Sequence, residues 1–205
     1  AFKPPWAGEP QGPLAAPGKY TVTLYVLHQG VMKVQGGSQN FEVKPVPSLS
    51  VGTDVATVAA FQKKTSELMI QINGTGQKLV EAYSRLEYLK KALKETPKAT
   101  AQHFTQWDRK WTQLNQLQMR LYGDPIRKGL NEATSLSISG RIGHIASGHW
   151  ETRQNPTQTY QINFEIGQRD FAQFRGDLEV FLLALEQYET ALAALGAPYT
   201  RGRKF

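Results

Sequence analysis

Apolar residues that recur every seven positions dominate the last third of this chain. Between residues 160 and 195, one heptad position is apolar in every repeat, and a second is interrupted only at Gly167. Such a repeat is typical of a long helix that buries one seam against other helices, so these side chains are committed to packing. The two sets are Phe164, Phe171, Leu178, Leu185 and Leu192, and Tyr160, Phe174, Phe181, Tyr188 and Leu195.

A second heptad pattern of similar length occupies residues 54–95. It continues through Asn73-Gly74-Thr75-Gly76, a sequence that on its own resembles a turn. Because a turn usually resets the phase of a helical repeat, we expect one continuous helix of about 60 Å. Thr53 or Asp54 can cap its start, and Pro97 ends it. Its seam residues are Val58, Ile72, Leu79, Leu86 and Leu93, alternating with Phe61, Leu68, Ala82 and Leu89.

Shorter helical segments lie between the two long ones. Residues 100–122 place aromatic residues and leucines on one seam and stop at Gly123. Residues 124–135 are polar and predict a connection. Residues 136–150 carry isoleucines among glycines, which allow helix backbones to pack closely. The last helix begins near Pro156 and ends at Gly196, ahead of a basic tail.

The first 47 residues have the pattern of β-structure. Residues 19–27 alternate, with Tyr20, Val22, Leu24 and Val26 on one face, which predicts a half-buried strand. Shorter strands are predicted at residues 31–34 and 40–44. Three strands bury too little area to form a stable sandwich alone. They are therefore either the end of a larger β domain or packed on the helices that follow.

These patterns predict a mainly α fold with a small β part. Residues 48–205 are expected to form an elongated antiparallel helical bundle with coiled-coil-like long helices. Residues 1–47 are expected to supply about three antiparallel strands that look like the end of an Ig-like β-sandwich.

Composition excludes several classes of function. The net charge of +7 is compatible with nucleic-acid binding, but residues 156–195 carry two arginines and six acidic residues, whereas residues 52–95 carry seven basic and five acidic residues. A basic helix beside an acidic one is expected inside a bundle, so we predict no nucleic-acid partner. The chain contains no cysteine, no apolar run that could span a membrane and no signal segment. Its start at Ala1 is typical of part of a longer protein.

The sequence carries no recognisable catalytic motif. The nucleophile elbow, the phosphate-binding loop and the HExxH zinc motif are absent. His144 and His149 are five positions apart and do not share a helical face, so we expect both to be solvated or capping residues. Acidic residues such as Glu186 and Glu189 fit a charged helix surface better than the facing carboxylates of a glycosidase. We predict no catalytic residue, metal or cofactor; a weaker alternative is an enzyme site near Arg141, His144 and His149.

Aromatic residues supply the remaining candidates. Trp107 and Trp111 lie on the seam of residues 100–122, which favours core packing over sugar stacking. Trp150 lies outside any clear seam and is predicted to be half exposed. A candidate interaction surface therefore consists of Trp150, Arg153, Tyr199 and Arg201.

Several segments resemble one protein family along nearly the whole chain. Residues 12–24 and 39–45 are similar to the last strands of the β domain near the end of bacterial sortilin-like, BNR-repeat "glycosyl hydrolase" proteins. The similarity continues through the helical region in the same order. The segments are Ala60–Thr65, Arg85–Leu93, Gly123-Asp124-Pro125, Ser139–Gly143, Gly148-His149-Trp150 and Ala194–Thr200.

The resemblance implies an exported protein in which this chain is a C-terminal accessory region. Its partners would be an upstream β-propeller and β-sandwich of the same protein, with a homodimer as a further option. The Asp-box motif of the propeller (Ser-x-Asp-x-Gly-x-x-Trp) is absent from this chain, so any hydrolase residues would lie upstream. We expect a non-catalytic domain that packs on, orients or dimerises the propeller protein. The alternative is a carbohydrate- or cell-wall-binding module.

Overall fold

The computed structural model describes residues 13, 15–45, 52–150, 152 and 154–202. This part of the chain is mainly helical, with short antiparallel strands ahead of a helical bundle, which confirms the predicted fold class. Two compact units are distinguished. The first runs to Ser66 and includes Ala146–Gln158, and the second comprises Glu67–Ile145 and the residues from Thr159 onward.

Nine elements follow one another in the described residues. The strands are β1 (Gly18–Val22), β2 (Tyr25–His28), β3 (Val31–Val34) and β4 (Gln39–Val43). The helices are α1 (Val55–Lys94), α2 (Ala101–Tyr122), α3 (Pro125–Gly129), α4 (Ile138–His149) and α5 (Gln158–Ala194).

The four strands form one long hairpin, which we call the ribbon. Strand β1 pairs with β4, and β2 pairs with β3, both antiparallel. The chain reverses at Gln29 and Gly30, which both have positive φ, as the tight two-residue turn of a hairpin requires. The predicted single strand 19–27 is interrupted at residues 23–24, because residues 35–38 of the returning strand form a bulge opposite them.

The predicted burial of the first strand is wrong. Tyr20 is only partly buried, and Val22, Leu24 and Val26 are between 44% and 63% exposed. Alternation along a strand shows which side chains share a face, but burial also needs a second layer against that face. In the described residues the ribbon's apolar side chains are largely open to solvent.

Helix α1 is unbroken over 40 residues. Asp54 caps it, since its Oδ1 accepts hydrogen bonds from the backbone N–H groups of Ala56 and Thr57 at 3.1 and 3.3 Å. The turn-like segment at residues 73–76 is helical, and Gly76 leaves room for the Tyr122 side chain, whose hydroxyl an added Cβ would overlap. The predicted seam is buried at every one of its nine positions.

Contacts within the second unit fix the directions of the helices. Along α1, Leu86 contacts Trp107 and Gly76 faces Tyr122, so α1 and α2 are antiparallel. The pairs His103–Tyr188 and Arg120–Asp177 show that α2 and α5 are antiparallel as well. Helix α4 also runs against α5, because Arg141 binds Asn163 and the His144 ring lies near Tyr160.

Candidate functional site

The described residues of the predicted interaction surface belong to two different units. Trp150 belongs to the first unit, whereas Tyr199 and Arg201 belong to the second; Arg153 lies outside the described residues. Trp150 is half-buried, as predicted, and its buried Nε1–H has no hydrogen-bond acceptor in the described part of the chain. Within the second unit, Tyr199 and Arg201 lie together.

Tyr199 and Arg201 line a cavity of about 360 Å³ where the tail passes α1. Tyr88 and Lys91 of α1 form the opposite wall, with the Lys91 ammonium 5.8 Å from the centre of the Tyr88 ring. Thr200 between the two tail residues is buried and holds the tail in place. Exposed tyrosines beside cations are a surface that can stack on a ring and bind an anion.

A buried ion pair lies beside this tail. Arg85 of α1 donates from Nε and Nη2 to the two carboxylate oxygens of Glu189 in α5, at 2.9 and 2.7 Å. The hydrogen bonds to Glu189 raise the pKa of Arg85. The prediction that the acidic residues occupy solvent positions is therefore wrong for Glu189, whose side chain is 2% exposed. The sequence does carry a signal of this burial, because Glu189 directly follows the seam residue Tyr188.

A cleft of about 830 Å³ lies among α2, the α3–α4 connection and α5. Arg120 at its edge binds Asp177 at 2.6 Å, and Arg127 lies 3.9 Å from Asp124. Hydroxyl groups of the connection supply most of the remaining polar lining. Two carboxylates line this cleft. Asp124 accepts hydrogen bonds from the backbone N–H groups of Ile126 and Arg127 and so caps α3, and Asp170 pairs with Arg169 at 2.8 Å.

The two histidines have different surroundings. His144 is exposed, but His149 is only 1% exposed, so the expectation of solvation is wrong for His149. Its ring stands edge-on to Phe61 at 5.2 Å, and its Nε2 lies 3.1 Å from the carbonyl oxygen of Gln154. Burial lowers the pKa of His149. Within the described ranges, no group of three or more His, Cys, Asp or Glu residues is placed to hold a metal ion.

Of the two tryptophans of α2, Trp107 lies in the core, as predicted, whereas Trp111 is only partly buried. Trp107 is buried and donates its Nε1–H to the carbonyl oxygen of Leu86 at 2.8 Å. Trp111 stacks on Trp107 at 5.2 Å and meets Tyr83 edge-on. Neither ring forms an open stacking platform for a sugar.

The ribbon carries a group of exposed apolar side chains. On one face of β2 and β3, Tyr25 and Leu27 lie opposite Val34 and Met32. The face that was expected to be buried is a different one, that of Tyr20, Val22, Leu24 and Val26, and residues 31–34 were predicted only as a short strand. The exposed members, between 44% and 68% accessible, are Val22, Leu24, Tyr25, Val26, Leu27, Val31, Met32, Val34 and Phe41.

No protein-family model matches this chain, and neither a curated protein nor a solved structure is significantly similar to it. Among the helices of the described residues, none combines the length and apolar character that crossing a membrane requires.

Proposed function

We propose that this chain is a non-catalytic accessory or scaffold domain that joins other domains or proteins through its ribbon. The exposed apolar side chains of β1–β4 carry this proposal, because large apolar surfaces on proteins mark interaction sites. The seam residues of the helices also support the proposal. They are buried within the bundle and are therefore not available to line a reaction site.

The wider context of the proposal rests on the resemblance to sortilin-like, BNR-repeat proteins. In that context the chain is exported and packs on an upstream β-propeller and β-sandwich of the same protein. The ribbon then supplies strands to a β layer of that protein. Such a layer covers the apolar side chains that are exposed in this chain. Any hydrolase chemistry belongs to the propeller.

Hydrolase assays on the 205-residue chain test the non-catalytic assignment. A panel of α- and β-linked nitrophenyl glycosides should give only the background rate of buffer. The variant Asp170→Asn is the control, because Asp170 is a carboxylate of the cleft among α2, the α3–α4 connection and α5. Turnover that this single substitution abolishes would overturn the proposal.

The tail cavity favours a second candidate function, a carbohydrate- or cell-wall-binding module. Tyr88 and Tyr199 supply aromatic rings and Lys91 and Arg201 supply cations around one cavity, which suits an acidic saccharide. Titration of an acidic cell-wall oligosaccharide into the chain, followed by calorimetry, tests this function. Saturable heat that Tyr199→Ala removes and Tyr25→Ala retains would support the module, and the absence of heat would exclude it.

A further inference from the structure

The tail, residues 198–202, follows the surface of α1 after α5 has ended. Gly196 and Gly202 both have positive φ, +88° and +89°, which glycine adopts without strain. Near its start the tail lines a cavity with Glu95, and at Gly202 an added Cβ would lie only 3.1 Å from Cγ of Arg85. Because Arg85 precedes Glu95 by about 15 Å of helix, the tail runs antiparallel to α1.

Two cavities lie one after the other along this contact. The tail cavity of about 360 Å³ is followed, toward the start of α1, by a second cavity of about 540 Å³. Tyr88 and Arg201 line both cavities, which therefore adjoin at these two side chains. The second cavity is also lined by Val80, Glu81, Ser84, Arg85 and Gly202. Together the cavities form what we call the tail groove, which extends along α1 from Glu95 to Val80, or about 22 Å.

The charged groups of the tail groove suit an acidic sugar better than a bare inorganic anion. Within the residues that the structure describes, neither the Lys91 ammonium nor the Arg201 guanidinium forms an ion pair, so both can attract an anion. Each cavity also contains one carboxylate, Glu95 in the first and Glu81 in the second. A carboxylate repels phosphate or sulfate but accepts hydrogen bonds from sugar hydroxyls. A ligand that carries both hydroxyls and acidic groups therefore satisfies all four side chains.

Arg85 supplies the second cavity with donors that its ion pair does not use. A guanidinium has five N–H donors, and Glu189 accepts from two of them, at 2.9 and 2.7 Å. The Arg85 side chain is 15% exposed and lines the cavity, so its remaining N–H groups can reach a ligand there. Because Glu189 holds the guanidinium in place, little side-chain entropy is lost when these groups bind oxygen atoms of a ligand.

We propose that the tail groove binds a linear acidic oligosaccharide, with successive sugar units in the two cavities and a sugar carboxylate beside Lys91 and Arg201. The inference rests on the second candidate function, the binding module, and names an extended chain rather than a single sugar as its ligand. The exposed rings of Tyr88 and Tyr199 supply apolar faces for the sugar rings. Because the groove continues past the first cavity, a longer chain makes more contacts and binds more tightly.

Calorimetric titration of the 205-residue chain with galacturonic acid, digalacturonate and tetragalacturonate tests the groove. These probes carry one carboxylate on each sugar and differ only in length. We expect the affinity to rise about 10-fold from the single sugar to the tetramer, and to fall at high salt, because the cations of the groove are exposed. Maltotetraose has the same number of sugars but no carboxylate, and it should bind about 10-fold more weakly than tetragalacturonate.

Two pairs of variants of the full chain locate the binding. Ser84→Phe places a ring at an exposed position of the second cavity, so it should remove the gain with length and leave binding of the single sugar unchanged. Gln71→Phe adds the same ring at an exposed position of α1 that lines neither cavity, and is the control. Arg201→Gln should weaken tetragalacturonate binding about 10-fold, whereas Lys78→Gln removes a charge outside the groove and should not.

The possible failures of the groove and of the binding module are distinguishable. Equal affinity for the single sugar and the tetramer would retain the module but overturn the groove. No heat with any of the probes would overturn both. Equal weakening by Arg201→Gln and Lys78→Gln would show that only the net charge attracts the probe, and would also overturn the groove. Hexaglutamate that binds more tightly than tetragalacturonate would overturn the inference and assign the groove to an acidic peptide.

Discussion

At the scale of single residues, Gly167 shows that a missing side chain in a heptad pattern can mark a close contact between two helices. Its heptad position in α5 is otherwise aromatic or aliphatic, and the missing side chain lets Ile142 of α4 approach the helix backbone. From the sequence, the glycines of α4 were instead expected to allow close packing. Gly143 has no atom near the position of an added Cβ. Sequence shows where a side chain is missing, but the partner that fills the space comes from tertiary packing.

We predict opposite effects for two glycine substitutions in α5. An added Cβ on Gly167 would lie 2.6 Å from Ile142 Cδ1, and Ile142 is fully buried, so Gly167→Ala should destabilise the protein by about 1–3 kcal/mol. Gly176 has no neighbour within 4 Å, so Gly176→Ala should stabilise it by about 1 kcal/mol. Urea unfolding measures both. Ile142→Val removes the methyl group that would clash with the added Cβ. If this second substitution restored none of the stability that Gly167→Ala loses, the explanation would be wrong.

The buried ring of His149 predicts a dependence of stability on pH. Burial lowers its pKa below the ordinary value near 6.5, so the unfolded chain takes up a proton at a higher pH than the folded chain. The stabilisation is complete above pH 6.5 and is lost as the pH falls through the folded-state pKa. The Lys64 ammonium lies 4.9 Å from the centre of the Phe61 ring, and the His149 ring meets that ring edge-on.

Urea midpoints between pH 7.5 and 5.5 measure this effect. His149→Gln retains a hydrogen-bond donor for Gln154 but does not titrate, so its midpoint should change less with pH than that of the natural protein. His144→Gln is the control, because His144 is exposed. Equal pH dependence in the natural protein and His149→Gln would rule out the burial of His149 as the cause.

At the scale of elements, long periodic helices were predictable and short or uncovered elements were not. The seam residues and the continuity of α1 followed from the heptad phase, because side-chain spacing on a helix is a local property. Helix α3 was missed, although Asp124 before Pro125 is a typical start, because five residues are too short for a periodic signal. The ribbon's strands were located, but their exposure was not, because burial depends on what lies against a face.

The start of α2 supplies a prediction at this scale. The Nδ1 atom of His103 accepts a hydrogen bond from the backbone N–H of the N-cap residue Thr100 at 3.0 Å, in the place where glutamate usually acts. His103→Ala should therefore lower the free energy of unfolding by about 0.5–1 kcal/mol. His103→Glu restores an acceptor at the same position. A thermal midpoint that is equally low in both variants would contradict the capping role.

At the scale of the whole molecule, the second unit is joined by polar contacts that cross its core. Arg85 and Glu189 connect α1 with α5, and Tyr188 donates to the carbonyl oxygen of His103 at 2.8 Å. Burial raises the pKa of Tyr188 to about 12. Of the predicted interaction residues that the structure describes, Trp150, Tyr199 and Arg201 take no part in these two contacts. Their placement depends on pairings between helices that are distant in sequence, which a single sequence does not reveal.

Breaking the buried ion pair is expected to be costly. Glu189→Leu leaves the Arg85 guanidinium without its bidentate partner in a site where that side chain is 15% exposed, so we predict a loss of about 2–3 kcal/mol. The double variant Arg85→Met/Glu189→Leu removes both charges and should recover most of the loss. Urea unfolding of the two variants measures this difference. A double variant as unstable as Glu189→Leu would show that packing, rather than the unpaired charge, sets the cost.

The unbroken course of α1 also limits how this chain can change in length. One residue inserted near Gly74 would rotate every later position of the helix by about 100° and carry Leu79, Leu86 and Leu93 out of their shared seam. Residues 130–136 between α3 and α4 are exposed. An insertion there would not move any residue out of a buried helical seam. Insertions and deletions in related chains should therefore accumulate in that connection and leave the long helices at a fixed length.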